Sequence, residues 1–543
     1  MTPYAPAMRE SHRLGLSVTI ALTSLAVLMS LFGTDLALAA AARTGTDADE
    51  PSVADDGPGD APSADPDGSE NADSDRADEV PPTDSAPDLT PQWGDAVAGI
   101  LRFRGNLTHT SYGQGPLPTD PQVAWRFPES PMCTTERTTR QVTGEDGQPT
   151  TEVSERIWCG TGWTGQPIVW DRDDGVTEVI IGGFDGLVYF LDGDTGQQTR
   201  EPFRTGFQIK GTGALDPDGY PLYYTGSRDG YFRVLALDRE PVAEVWRMAS
   251  HPQGVWNNDW DGSPAILDDV LYVGGEDSWF RAVRLNRSFD DDGQVTVDPE
   301  VLIEIPGFNN ELFAAIGDRN VSIENSVAID VERDRVVFAN SAGRLLAFSL
   351  SALSRGEEVK LFDVWLGDDI DASVVIDPDD GAIYVAIELQ RFLARADEVG
   401  QLVRLDLDQP DDPIVWSIDV LPQRPGDDGG IWATPALHAG HLYVATHPGE
   451  LLVVDTASGN VVFRDDIGWH AWSSPVVVAS GDRAELLVAT CMDPHLRSYD
   501  LSDPARPVEG WRLGLSGCIE STPAVWDGRI WVGSRDGFFY AVR

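Results

Sequence analysis

The sequence predicts an all-β fold, an eight-bladed β-propeller of four-stranded antiparallel blades closed by an N-terminal strand. Three observations predict it. Short apolar runs separated by Asp-Gly and Gly-rich turns recur from about residue 121 onward, as in Gly262-Ser-Pro-Ala-Ile through Tyr272-Val-Gly-Gly and Ser521-Thr-Pro-Ala-Val through Trp531-Val-Gly-Ser, which is the grammar of strand, hairpin turn and strand. The copies begin near Pro167, Leu215, Pro264, Val327, Val374, Pro435, Pro475 and Pro523, mostly at the spacing of a four-stranded blade. The eighth copy stops after its third strand at Phe538–Val542, and the run Gln122-Val-Ala-Trp-Arg-Phe near the start supplies a fourth. A strand lent from the other end of the domain closes a ring and removes its open edges.

The chain of 543 residues has 54 Gly, 37 Pro and 17 Trp, as a turn-rich β protein should, and carries a formal net charge of -50. That charge excludes nucleic acid as a partner, because phosphate backbones select Lys and Arg stripes. Arg9 and Arg13 precede an uncharged run over 14–34 and small residues at Ala37-Leu-Ala-Ala, so residues 1–42 read as a secretory signal peptide or a single-span membrane tether. Residues 43–95 hold Asp, Ser, Pro, Gly and Ala with almost no large apolar side chain; such a segment cannot bury enough surface to order and reads as a disordered acidic linker. Residues 99–543 then form the propeller. In an exported chain the four cysteines suggest two local disulfides, Cys133–Cys159 around a polar excursion at Thr134–Glu155 and Cys491–Cys518.

Within the blades, Trp246, Trp365, Trp416, Phe463 and Trp511 mark outer strands, and polar insertions fall around Phe289–Gly293 and Arg391–Gly400. The repeats at Asp185–Gly196 and Ser521–Val542 resemble the pyrroloquinoline-quinone-like (PQQ-like) repeat family. That resemblance implies one of two functions. One branch is quinoprotein dehydrogenases, with a quinone over a disulfide between adjacent cysteines, a calcium ion and an Asp base. The other is non-catalytic scaffolds similar to an outer-membrane assembly lipoprotein. No two cysteines here are adjacent and no C-x-x-C-H haem motif occurs, so the expectation is a scaffold without cofactor, with PQQ or calcium as the alternative.

In a propeller the loop leading into each innermost strand lines one mouth of the axis. The residues three positions before the strand starts are Thr164, Thr212, Asp261, Glu324, Asp371, Trp432, Trp472 and Glu520. Converging carboxylates there call for a hard cation or a basic group, unless solvent separates them. Trp163, Trp256, Trp260, Trp432 and Trp472 crowd the same loops, either as a stacking platform for a planar ligand, sugar or peptide or as packing between blades. The Asp-rich turns at Asp171, Asp192, Asp216 and Asp377 read as hairpin turns, since none has a full calcium-loop pattern. His470, Asp493 and His495 fall in the seventh copy as a weak metal candidate. The function expected is a monomeric, exported binding or protein-interaction scaffold of the cell envelope; a quinone- or calcium-dependent oxidoreductase and a carbohydrate binder are the alternatives.

Overall fold

The computed structural model describes residues 97–143 and 148–543; the segments expected to be a leader (1–42) and an acidic linker (43–95) lie outside them. No helix among the described residues is long and apolar enough to cross a membrane. Eight four-stranded antiparallel blades follow one another in sequence order. Their innermost strands begin at Ile168, Ala214, Ala265, Ala328, Val375, Ala436, Val476 and Ala524. Blade 8 consists of Ala524–Trp526, Arg529–Gly533 and Phe539–Val542, and its outer strand is Val123–Phe127, paired antiparallel as Arg126 with Tyr540 and Phe127 with Phe539. The ring is therefore closed by the N-terminal strand, as expected.

Burial follows position in the blade. Second and third strands are sandwiched between neighbouring blades and are buried almost throughout, as at Val270–Gly274 and Leu187–Asp192, which explains their continuous apolar runs. Outer strands alternate half-buried and exposed, as at Val461–Asp466 and Val508–Gly514, because only one face meets a neighbour. Glycines ending second strands let the next blade's loop approach. A Cβ on Gly226 would lie 2.2 Å from Trp260 Cβ, and one on Gly274 would lie 2.2 Å from Ile323 Cγ2.

Seryl and threonyl residues just before the inner strands tie the blades together. The backbone N–H of Ser263 donates to Ser326 Oγ (3.0 Å), that of Ser326 to Ser373 Oγ (2.9 Å) and that of Ser373 to Thr434 Oγ1 (2.9 Å). The series continues from Thr434 to Ser474 (3.0 Å), from Ser474 to Thr522 (3.2 Å), and from the N–H of Thr522 to the Gly165 carbonyl (2.9 Å). The recurring Ser or Thr before the inner strand is thus the staple between blades, and the proline that follows Ser263, Thr434, Ser474 and Thr522 needs no donor at that point.

The insertions emerge as a hairpin at Ser288–Phe289 and Val295–Thr296 and a helix at Ala394–Val399. The polar excursion is a long hairpin, Cys133–Thr143 against Pro149–Cys159, with its two cysteines paired across the ladder and joined by a disulfide.

One element was not anticipated. Residues 99–117 run through the middle of the ring. Gly99–Ile100 pairs with the inner edge of blade 1, and Gly113–Gln114 lies parallel to the inner strand of blade 7. Between them, Leu101 O accepts from Leu215 N (2.8 Å), Leu107 O from Ile329 N (2.8 Å) and Thr108 O from Ile376 N (3.0 Å). Arg102 donates to Val327 O (2.9 Å), and Arg104 donates to Thr434 O (3.0 Å), Pro435 O (2.6 Å) and Pro475 O. The segment satisfies the inner edges of the sheets, which in an open channel would need water.

Candidate functional site

A mouth opens beside the plug, and Phe103 forms part of its floor. A pocket there is lined by Trp163, Thr164, Lys210, Asp261, Glu324 and Asp371, among others. Its cavity of about 20 Å³ holds a water molecule or a small ionic group. Asp261, Glu324 and Asp371 come from blades 3, 4 and 5 and form an acidic arc.

Lys210 is the residue that the sequence reading missed. The inner strand of blade 2 begins at Ala214, so the counterpart of Pro167 is Gly213, not Leu215. Lys210-Gly-Thr-Gly-Ala then aligns with Asp261-Gly-Ser-Pro-Ala, and blade 2 brings both Lys210 and Thr212 to the mouth. Thr212 also accepts from Gln166 N (2.7 Å). The signal was present in the Gly-x-Gly spacing, but blade 2 has no proline to mark it.

The Lys210 ammonium is buried and lies 2.9 Å from Asp259, 2.8 Å from Asp261 and 2.9 Å from Glu276. Burial opposes its charge, yet Asp259, Asp261, Glu276 and Glu324 together hold it protonated well above the usual lysine range. Burial raises the carboxyls of Asp259 and Asp261, the latter further through the charge of Asp259. The basic group called for by converging acids is thus partly internal. A second buried group, Asp369, Asp371 and Glu388, has the hard oxygen donors that a divalent cation takes; Arg391 lies 3.6 Å from Asp369, and Ser341 donates to Asp371 at 3.2 Å.

The other side of the mouth is aromatic. Trp163 and Trp472 have ring centroids 5.3 Å apart, and Trp432 stacks on Trp472 at 5.8 Å. All three are buried, so Trp432 and Trp472 cover one another and offer no open platform. Trp260 belongs to the core between blades 2 and 3, packed on Phe232 with the Arg281 guanidinium 4.7 Å over its ring. Trp260 is therefore not part of the mouth, and Trp256 is exposed. His447 accepts from the Trp472 indole N–H at 2.8 Å, and burial pushes His447 down to about 3 and His470 to about 4, leaving both rings neutral at physiological pH. Glu520 pairs with Arg535 at 3.4 Å, and burial raises its carboxyl.

The Cys491–Cys518 disulfide lies beside these residues. His470 groups with it and with Glu520, whereas His495 pairs with Asp493 at 3.2 Å. The Asp-rich turns close on their own backbone: Asp192 accepts from Thr195 N (2.8 Å), Asp216 from Asp218 N (3.0 Å) and Asp377 from Asp379 N (3.0 Å).

No protein-family model matches the chain, and no curated protein matches it. Solved structures do. The quinohemoprotein alcohol dehydrogenase ADHIIG from Pseudomonas putida HK5 superposes with a TM-score of 0.55 at 10% identity, covering 82% of this chain and 80% of that one. What the two share is the β-propeller fold. The quinohemoprotein alcohol dehydrogenase of Comamonas testosteroni follows at 0.49 and 11%, covering 84% and 82%, and BamB from Moraxella catarrhalis at 0.35 and 14%, covering 60% and 94%. At such identities the likeness concerns the fold alone.

The quinone that the repeat resemblance implies is a planar tricarboxylate. The mouth does not fit it. Asp261, Glu324 and Asp371 line the pocket and would repel a tricarboxylate, Lys210 is already bound to three acids, Arg535 is paired with Glu520, and the disulfide joins two separate loops.

Proposed function

We propose that this chain is an exported, non-catalytic β-propeller of the cell envelope that binds a protein partner, and that its mouth takes a primary ammonium group, a Lys side chain or an amino terminus. The observation that carries this reading is the arc of Asp261, Glu324 and Asp371 on three consecutive blades around a cavity of about 20 Å³. That space, walled by carboxylates from three blades, suits an ammonium head. Lys210 offsets part of the acidity and leaves the arc net negative. The two disulfides support an oxidising compartment. The buried, mutually stacked tryptophans speak against a carbohydrate platform.

Titration of Trp fluorescence with a lysine peptide and with its Nε-acetylated twin tests the reading. Binding of the charged peptide alone is expected, weakened by salt and by the double variant Glu324→Gln/Asp371→Asn at least about tenfold, since hydrogen bonds to charged groups contribute about 1.5–3 kcal/mol each. Equal binding of both peptides, or binding unchanged in the double variant, refutes it.

A further inference from the structure

His470 is 1% exposed, and neither ring nitrogen has a hydrogen-bond partner. Buried imidazoles rarely forgo both bonds, because an unsatisfied polar atom costs about 1–3 kcal/mol. The ring is held in place by Trp472, with centroids 4.4 Å apart, by Trp469 at 4.9 Å and by His447 at 5.3 Å. One of its nitrogens, the two sulfurs of Cys491–Cys518 and a carboxylate oxygen of Glu520 all lie within 4.8 Å of one another.

We propose that His470, Cys491, Cys518 and Glu520 form a tetrahedral site for a zinc-like divalent cation, assembled when a dithiol opens the Cys491–Cys518 disulfide. Two sulfurs, one imidazole nitrogen and one carboxylate oxygen are a donor set that zinc accepts. Zinc bonds to such atoms are about 2.0–2.3 Å long, so a tetrahedron of them has edges of roughly 3.5 Å, inside the spread observed. The ligands come from three loops of two adjacent blades: His470 precedes the inner strand of blade 7, Cys491 follows its second strand, and Cys518 and Glu520 precede the inner strand of blade 8. The ring fixes these loops, so opening the disulfide lets two sulfurs separate without moving the backbone far.

The step balances simply. The dithiol gives two electrons and two protons to the sulfur–sulfur bond and becomes a disulfide, leaving two protein thiols. The cation then displaces both thiol protons. Two thiolates, one carboxylate and a neutral imidazole around a divalent ion leave one negative charge, and Arg535, 3.4 Å from Glu520, offsets it. The oxidised state stores the same sulfurs as a disulfide and gives up the metal, so the two states exclude each other. This site stands apart from the acidic arc and does not depend on what the arc binds.

The test uses the full chain carrying Cys133→Ser and Cys159→Ser, which leaves the mouth pair as the sole cysteines. After reduction by a dithiol and its anaerobic removal, cobalt(II) is titrated in and then displaced by zinc. One equivalent is expected to give the intense red-region bands of tetrahedral cobalt and a thiolate charge-transfer band, and the disulfide form is expected to give neither. His470→Ala is expected to weaken binding by more than the roughly 10–100-fold that loss of a mere supporting residue brings. Near-UV circular dichroism of the reduced, metal-free chain reports its folding. A reduced folded chain that leaves cobalt octahedral overturns the proposal, as does a His470→Ala chain with the same spectrum and affinity, or a chain that unfolds on reduction.

Discussion

Replacing Lys210 by methionine keeps the apolar stem and removes the ammonium that lies within 2.9 Å of Asp259, Asp261 and Glu276. Breaking a buried ion group by deleting one partner costs about 3–5 kcal/mol, because the remaining charges stay buried without compensation. Protonation limits that loss. Burial already raises Asp259 and Asp261 above their ordinary value of 3.8, and without Lys210 one of them takes a proton. In the unfolded chain that carboxyl is ionised at pH 7, and each pH unit above its ordinary value adds about 1.4 kcal/mol, so the penalty is capped near 4 kcal/mol at pH 7 and near 2 kcal/mol at pH 5. The sign follows from proton counts. The folded variant holds a proton that the unfolded chain lacks, so its stability increases as pH falls toward 3.8 and is lost as pH rises. Guanidinium denaturation of both proteins at pH 7, 6 and 5 reads the difference from the midpoint shift at a common slope. A Lys210→Met protein within about 0.5 kcal/mol of the parent at pH 7 refutes the reasoning, and so does a deficit that does not shrink on acidification.

The axial plug and the inter-blade staples give two further expectations. Arg104→Met removes donors from the carbonyls of Thr434, Pro435 and Pro475 at the ring centre; a loss of about 3–5 kcal/mol is expected, with faster hydrogen exchange of the backbone amides at 99–117, and unchanged exchange there contradicts the role of the plug. Ser373→Ala leaves the buried N–H of Ser326 without its acceptor and should cost about 1–3 kcal/mol in chemical denaturation, whereas Ser351→Ala on the exposed side of the short helix Leu350–Leu353, where Ser349 also donates to the same Asp334 carboxylate and water can replace the lost bond, should stay within about 0.5 kcal/mol.

The fold was legible in the sequence because a propeller is built from local repeats. Each blade is a contiguous stretch, its turns are marked by Asp and Gly, and its buried strands show as apolar runs. The closing strand was legible too, since the missing fourth strand of the last copy had one apolar candidate near Trp125. Both disulfides followed from short sequence separations of 26 and 27 residues. The mouth was legible only where proline or an apolar run fixed the register. The slip at blade 2 hid Lys210, and Trp260 looked like a mouth residue because sequence does not say which side of a loop meets the neighbouring blade.

By itself, the sequence determined the class of fold, the number of blades, the closure and the acidity of the chain, all of which depend on residues near one another or on sums over the whole. Tertiary structure alone decided what meets at the axis. Residues 99–117 are free of acid in a very acidic chain, yet only ring closure shows that Arg104 reaches carbonyls more than 300 positions away. Lys210 finds its carboxylates on the next blade, and His470 meets two cysteines and Glu520 through three loops. Those contacts arise from eight strand ends converging on one axis, where residues distant along the chain share the same few cubic ångströms.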